Sequence, residues 1–142
     1  MIRFLTFCLA AFLIFAGCSD DNARDSADYS NAKEMTVSFT WPSDYSKCFD
    51  LRNPELKLSD IPAGTEYFRV DVIDIQNDNS SHGGGTVYNR GKGKIGLGTL
   101  GEYYGPCPSQ SPHGYGMYEF TVLAYNSEDV VIGIGSDSKE FP

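Results

Sequence analysis

At 142 residues the chain fits one domain, large enough to bury a core and too small for two ordinary ones. Its formal charge of −8 repels nucleic acid and anionic headgroups, which argues against a basic polyanion-binding surface. The same acidity favours solubility.

In chain order, residues 1–17 read as an export signal. Arg3 supplies a positive start, and Phe4 to Ala16 is an uncharged, mostly apolar run of thirteen residues, shorter than the roughly 17 to 25 that span a bilayer. Phe15-Ala16-Gly17-Cys18 resembles the lipobox of bacterial lipoproteins, which implies that Cys18 becomes the acylated first residue of the mature chain, with an ordinary secretory signal as the alternative. Several acyl chains on one residue anchor strongly, at about 0.8 kcal/mol per buried methylene. Ser19 after the cysteine resembles outer-membrane rather than inner-membrane sorting, so a lipid-anchored protein of the bacterial cell envelope is expected. Losing Arg3 with the signal moves the formal charge from −8 to −9.

Residues 18–34, the acylated cysteine and a polar stretch of Asp, Asn, Ser and Ala, show no apolar period and read as a flexible tether. The folded domain is expected over 35–142. Met35, Val37, Phe39 and Trp41 alternate with polar residues as a half-buried strand that Pro42 ends. A loop carrying Cys48 follows, then a short strand at Leu56 to Leu58 and a turn at Ile61 to Thr65. From Glu66 to Asp74 the alternation of Phe68, Val70 and Val72 with Arg69 and Asp71 predicts a strand with one buried face. A polar turn, Gln76 to Ser81, leads into His82-Gly83-Gly84-Gly85, where glycines permit a sharp turn, a close backbone approach or a nest of anion-binding amides.

Thr86 to Tyr88 predicts a short strand, and Asn89 to Gly101 is glycine-rich, much of it expected as loop. Within that loop Gly91-Lys92-Gly93-Lys94-Ile95-Gly96 matches the spacing of a dinucleotide fingerprint but opens no helix and lies in no βαβ unit. Asp74 to Gly85 imitates a calcium loop, yet has Asn79 where glycine is needed and Gly85 in place of the bidentate glutamate. Neither a metal nor a cofactor is therefore expected. A second loop runs from Tyr103 to Gly116, Tyr118 to Tyr125 is a strong strand, and Val130 to Ile134 a last one containing Gly133. Beyond the signal there is no helical period, so the class is all-β, a sandwich or barrel. Of the four cysteines, Cys48 and Cys107 remain in the folded part, and an even remainder in an exported chain predicts one disulfide.

Asn53-Pro54-Glu55-Leu56-Lys57-Leu58-Ser59, Ile61-Pro62-Ala63-Gly64-Thr65, the strand ending in Asp74, His82, Gly105-Pro106-Cys107-Pro108 and Tyr118-Glu119-Phe120-Thr121-Val122 follow one another in an order that resembles the phosphatidylethanolamine-binding proteins, among them the bacterial Raf-kinase-inhibitor-like proteins. The resemblance implies an antiparallel-rich β-sandwich, with Trp41, Phe68, Val70, Val72, Phe120 and Val122 in its core. It also implies a small anion or phospho-headgroup pocket at one sheet end, built from an Asp-Pro-Asp segment, a strand histidine and a Gly-x-His segment. Asp74 matches the first aspartate and His82 the strand histidine. Ile75 stands for the proline, Gln76 for the second aspartate and Gly116 for the second histidine, with His113 three residues earlier. On this resemblance Asp74 and His82 come together, the carboxylate orienting the ring, beside Gly83, Gly105, Pro106 and Tyr115. No activated nucleophile is visible, so binding rather than catalysis is expected. A protein-interaction or inhibitor module with a vestigial pocket is the alternative.

Overall fold

Residues 29–46, 48–107 and 115–141 are described by the structure, a computed structural model. Their strands in chain order are β1 (Lys33–Glu34), β2 (Thr36–Phe39), β3 (Leu56–Ser59), β4 (Tyr67–Asp74), β5 (Ser80–Tyr88), β6 (Lys94–Ile95), β7 (Met117–Tyr125) and β8 (Val131–Glu140), with no helix among the described residues. One sheet has the order β1-β8-β7-β4-β5 and the other β2-β3-β6. All pairings are antiparallel except β1 with β8.

Period-two alternation makes the two layers. Phe68, Val70, Val72, Phe120, Val122 and Ala124 of the larger sheet face Val37, Phe39, Leu56, Leu58 and Ile95 of the smaller one, and all are buried. Rings interlock between the layers, Phe39 and Phe120 having centroids 4.7 Å apart. Trp41 is only partly buried, because its indole lies at the end of the sandwich among Phe39, Tyr45, Tyr118, Phe120 and Phe141 and donates Nε1–H to the Glu140 carbonyl at 2.9 Å. Asn53, fully buried, donates to Pro54 O and Gly96 O at 2.7 and 3.0 Å and accepts from Leu100 N–H at 2.9 Å. It thereby pins the glycine-rich 96–100 loop to the start of β3.

Three stretches differ from the sequence expectation. Gly83 to Gly85 form no turn, because they lie inside a nine-residue β5. Close approach explains the glycine at 83, where φ is +72° and an added β-carbon would run into the Glu102 carbonyl. The Gly83 N–H is taken by Ser81 Oγ at 3.1 Å. β8 runs on to Glu140, although Ser136 to Glu140 lack apolar alternation, since they pair with β7 from Met117 to Thr121. Polar stitching holds this half: Asp137 Oδ2 accepts Phe39 N–H at 3.1 Å and meets Lys139 Nζ at 3.2 Å. Lys33 and Glu34, read as tether, pair with Gly133 and Ile134. The chain then passes from one sheet to the other at Met35, whose backbone lies where a side chain at Gly135 would have to go.

Candidate functional site

The disulfide forms a clasp at the end of the sandwich. Cys48 and Cys107, 59 residues apart, are bonded with their α-carbons 4.1 Å apart. On either side, Phe49 N–H donates to Pro106 O at 3.0 Å and Gly105 N–H to Asp50 O at 2.8 Å. Gly105 has to be glycine on contact grounds, because a β-carbon there would sit 2.6 Å from the Asp50 carbonyl. Pro106 is buried beside it. Asp50 is itself nearly buried and accepts from Arg52 Nη2 at 2.7 Å, Arg52 N–H at 2.9 Å and Ser46 N–H at 3.0 Å. Hydrogen bonding from the Arg52 guanidinium comes first in holding its carboxyl well below the usual carboxylate range.

The segment leading into the clasp lies against the expected site residues, which are on β4 and β5. Asp74 lies at the end of the inward face of β4, 2% exposed. Its Oδ1 accepts Gln76 N–H at 3.0 Å. Directly across the ladder from Asp74 is Tyr118 of β7, whose hydroxyl hydrogen-bonds the Asp74 carboxylate and interacts with the backbone of Cys107. Burial first, and then the Asp74 charge, push the Tyr118 phenol up to about 12.

His82 is half-buried on β5, with Nδ1 3.0 Å from the Tyr104 carbonyl oxygen. A carbonyl only accepts, so Nδ1 carries a hydrogen and Nε2 is the atom left for chemistry. Among the described residues Nε2 has no hydrogen-bond partner. The ring packs edge-on against Tyr118, centroids 4.9 Å apart at 88°, and tilted against Tyr104 at 5.0 Å. Tyr104 is fixed in turn by its N–H to His82 O at 3.2 Å and by its hydroxyl to Ser81 O.

Asp74 and His82 are thus brought to the same end of the sheet, both against Tyr118, yet they make no ion pair with each other. The carboxylate is occupied by Gln76 and Tyr118, so the Tyr104 carbonyl, not Asp74, orients the ring. Gly116 has a neighbour that explains its lack of a side chain: an added β-carbon would lie 2.5 Å from the Tyr118 hydroxyl and ring. The Tyr118 phenol therefore fills the space that a side chain at 116 would enter. Tyr115 is 45% exposed before β7. Gly83 lies beside His82 on β5, its added β-carbon position filled by Glu102. His113 and Pro108 lie outside the described residues.

Sequence reading missed Tyr118, the Tyr104 carbonyl and the Cys107 backbone as site components. The sequence marked Tyr118 only as the first residue of a strong strand. The signal that would have found it is the register of β4 with β7, the two strongest strands, which sets Asp74 opposite Tyr118. The resulting group holds a proton donor or acceptor at Nε2 beside a neutral phenol and a buried, satisfied carboxylate. Among the described residues no cluster of three or more metal-ligating side chains occurs.

No protein-family model matches the sequence, and no curated protein does either. Among solved structures the chain is similar to Escherichia coli YbcL, described as a new member of the mammalian PEBP family. The TM-score is 0.54 at 14% identity, over 75% of this chain and 97% of YbcL. The fold is accordingly all-β and of the phosphatidylethanolamine-binding-protein type.

Proposed function

We propose that this protein is a non-catalytic binding protein, lipid-anchored in the bacterial cell envelope, that takes a small anionic or phospho-headgroup ligand at His82. The observation that carries the reading is the ring itself. His82 is fixed through Nδ1 and walled by two tyrosines, at the half-buried end of a sheet, and among the described residues Nε2 has no hydrogen-bond partner. An immobilised imidazole with one free nitrogen is suited to donate to an anion when protonated. Asp74 supports this role through Tyr118, while Gly83, Gly105 and Pro106 form the backbone frame and Tyr115 stands at the rim.

Glycine at 116 leaves one donor fewer than a second histidine would give, and a charge-assisted hydrogen bond contributes about 1.5 to 3 kcal/mol, roughly ten- to a hundredfold in affinity. Binding of phosphate is therefore weak. Titrating phosphate and phosphoethanolamine into wild type and His82→Ala, followed by amide chemical shifts, tests the site. Saturable shifts near His82 in the wild type alone are expected, and equal responses in the two proteins would refute it. Replacing Cys18 by Ser should release the protein from the membrane fraction; a variant that stays membrane-bound would sink the anchor.

A protein-interaction module is the second reading, favoured by Phe49 and Leu51, 49% and 71% exposed next to the disulfide. Thermal shift separates the two, because a small ligand that binds the native state raises Tm as it exceeds its Kd.

A further inference from the structure

β5 is an edge strand, paired with β4 on one side only. Part of its outer edge is already covered: Tyr104 N–H donates to His82 O at 3.2 Å and Glu102 N–H to Gly84 O at 3.0 Å. Backbone groups alternate sides along a strand, and Asn89 N–H, which donates to Glu66 O at 2.8 Å, faces β4. Thr86 and Tyr88 therefore face outward like Gly84, and among the described residues neither has a backbone partner on that side. Tyr88 is also 68% exposed.

Edges of sheets are normally blunted by charge, proline, shortness or cover. β1 follows this rule, with two residues, both charged and exposed, and β6 is equally short. From Ser80 to Tyr88, β5 contains neither a proline nor an Asp, Glu, Lys or Arg. Immediately after it the charge changes sign relative to the rest of the chain. Arg90, Lys92 and Lys94 are three of the eleven Lys and Arg residues in a protein of formal charge −8. Lys94 is engaged by Glu55 at 2.7 Å, while Arg90 and Lys92 are exposed and make no ion pair among the described residues. On the outer face of β4 and β5, reaching this edge at Thr86, a cleft of about 420 Å³ is lined by Gly83 to Gly85, Thr86, Arg69, Asp71 and Glu102.

We infer that the Thr86–Tyr88 edge of β5 captures an extended acidic peptide segment as an added strand. The peptide's backbone pairs with Thr86 and Tyr88, and its carboxylates meet Arg90 and Lys92. Backbone pairing supplies the attachment and the flanking cations select the sign of the partner. The cleft, rimmed by both signs of charge, accepts one side chain of the added strand without selecting its charge.

The test titrates the full chain with a blocked seven-residue peptide of alternating valine and glutamate, its lysine counterpart, and a version N-methylated on alternate residues. Amide shifts and hydrogen exchange are followed at Thr86 and Tyr88. The glutamate peptide is expected to protect both amides and to bind about tenfold tighter than the lysine peptide. N-methylation and Thr86→Pro should each abolish binding, because both remove edge hydrogen bonds and leave the β4 ladder alone. Arg90→Glu with Lys92→Glu should reverse the preference between the two peptides. If Thr86→Pro fails to fold, the methylated peptide reads the same bonds. Equal binding of the two charged peptides, undiminished binding of the methylated one, or shifts confined to other strands would overturn the proposal. So would protection of Thr86 and Tyr88 in the free protein that disappears on dilution, which marks a second copy, or on deletion of residues 19–28, which marks the chain's own acidic run.

Discussion

Replacing Gly116 by Ala isolates the contact that closes the expected second-histidine position. Gly116 does not have a positive φ, so its backbone accepts alanine without strain and the effect comes from contact alone. The new β-carbon would sit 2.5 Å from the Tyr118 hydroxyl and ring, so the ring must move. It has little room, with Trp41 at 6.0 Å, Phe141 at 6.5 Å and His82 at 4.9 Å between centroids. Moving it gives up the hydrogen bond to the buried Asp74 carboxylate, about 1.5 to 3 kcal/mol, and the edge contact with His82, about 0.5 to 1.5 kcal/mol. Alanine returns about 0.4 to 1 kcal/mol by stiffening the unfolded chain. A net loss of about 1 to 4 kcal/mol is expected, measured by urea unfolding through the fluorescence of the single tryptophan, Trp41. In a Tyr118→Ala background the same change should be neutral or slightly stabilising. An unchanged midpoint in the wild-type background, or an equal loss in both, would show that Tyr118 does not fill that space.

Reducing the disulfide, or replacing Cys48 by Ser, should destabilise by roughly 4 kcal/mol in the chain-entropy model, given the 59-residue separation. An unchanged Tm would contradict the clasp. Alkaline unfolding should report Tyr45 and Tyr118, both pushed up to about 12 with burial as the leading cause, against 10.0 for the free group. The folded state holds these protons more tightly than the unfolded state does. Their contribution is therefore complete below pH 10 and declines between about pH 10 and 12. Urea midpoints that stay level through that window would refute the burial of both phenols.

Local pattern was enough for the layers of this protein. Phe68, Val70, Val72, Phe120 and Val122 announce their buried face by alternation, because a strand's side-chain period of two follows from backbone geometry. The disulfide followed from an even count of cysteines in the folded part, and the fold type from the family resemblance that the order of short motifs carries. Strands without that signal were lost. The second half of β8 is held by Asp137, Lys139 and pairing with β7, and the glycines of β5 looked like a turn because glycine permits both a turn and a crowded strand. The sequence alone also determined that Asp74 ends a strand and that His82 follows one turn later. Only the tertiary structure decided what lies between them. The β4–β7 register puts Tyr118 opposite Asp74, and the disulfide-clasped segment sends the Tyr104 carbonyl to His82 and the Cys107 backbone to Tyr118. These contacts join residues distant in the chain through backbone groups, and backbone groups are the same at every position, so no side-chain pattern records which of them will meet.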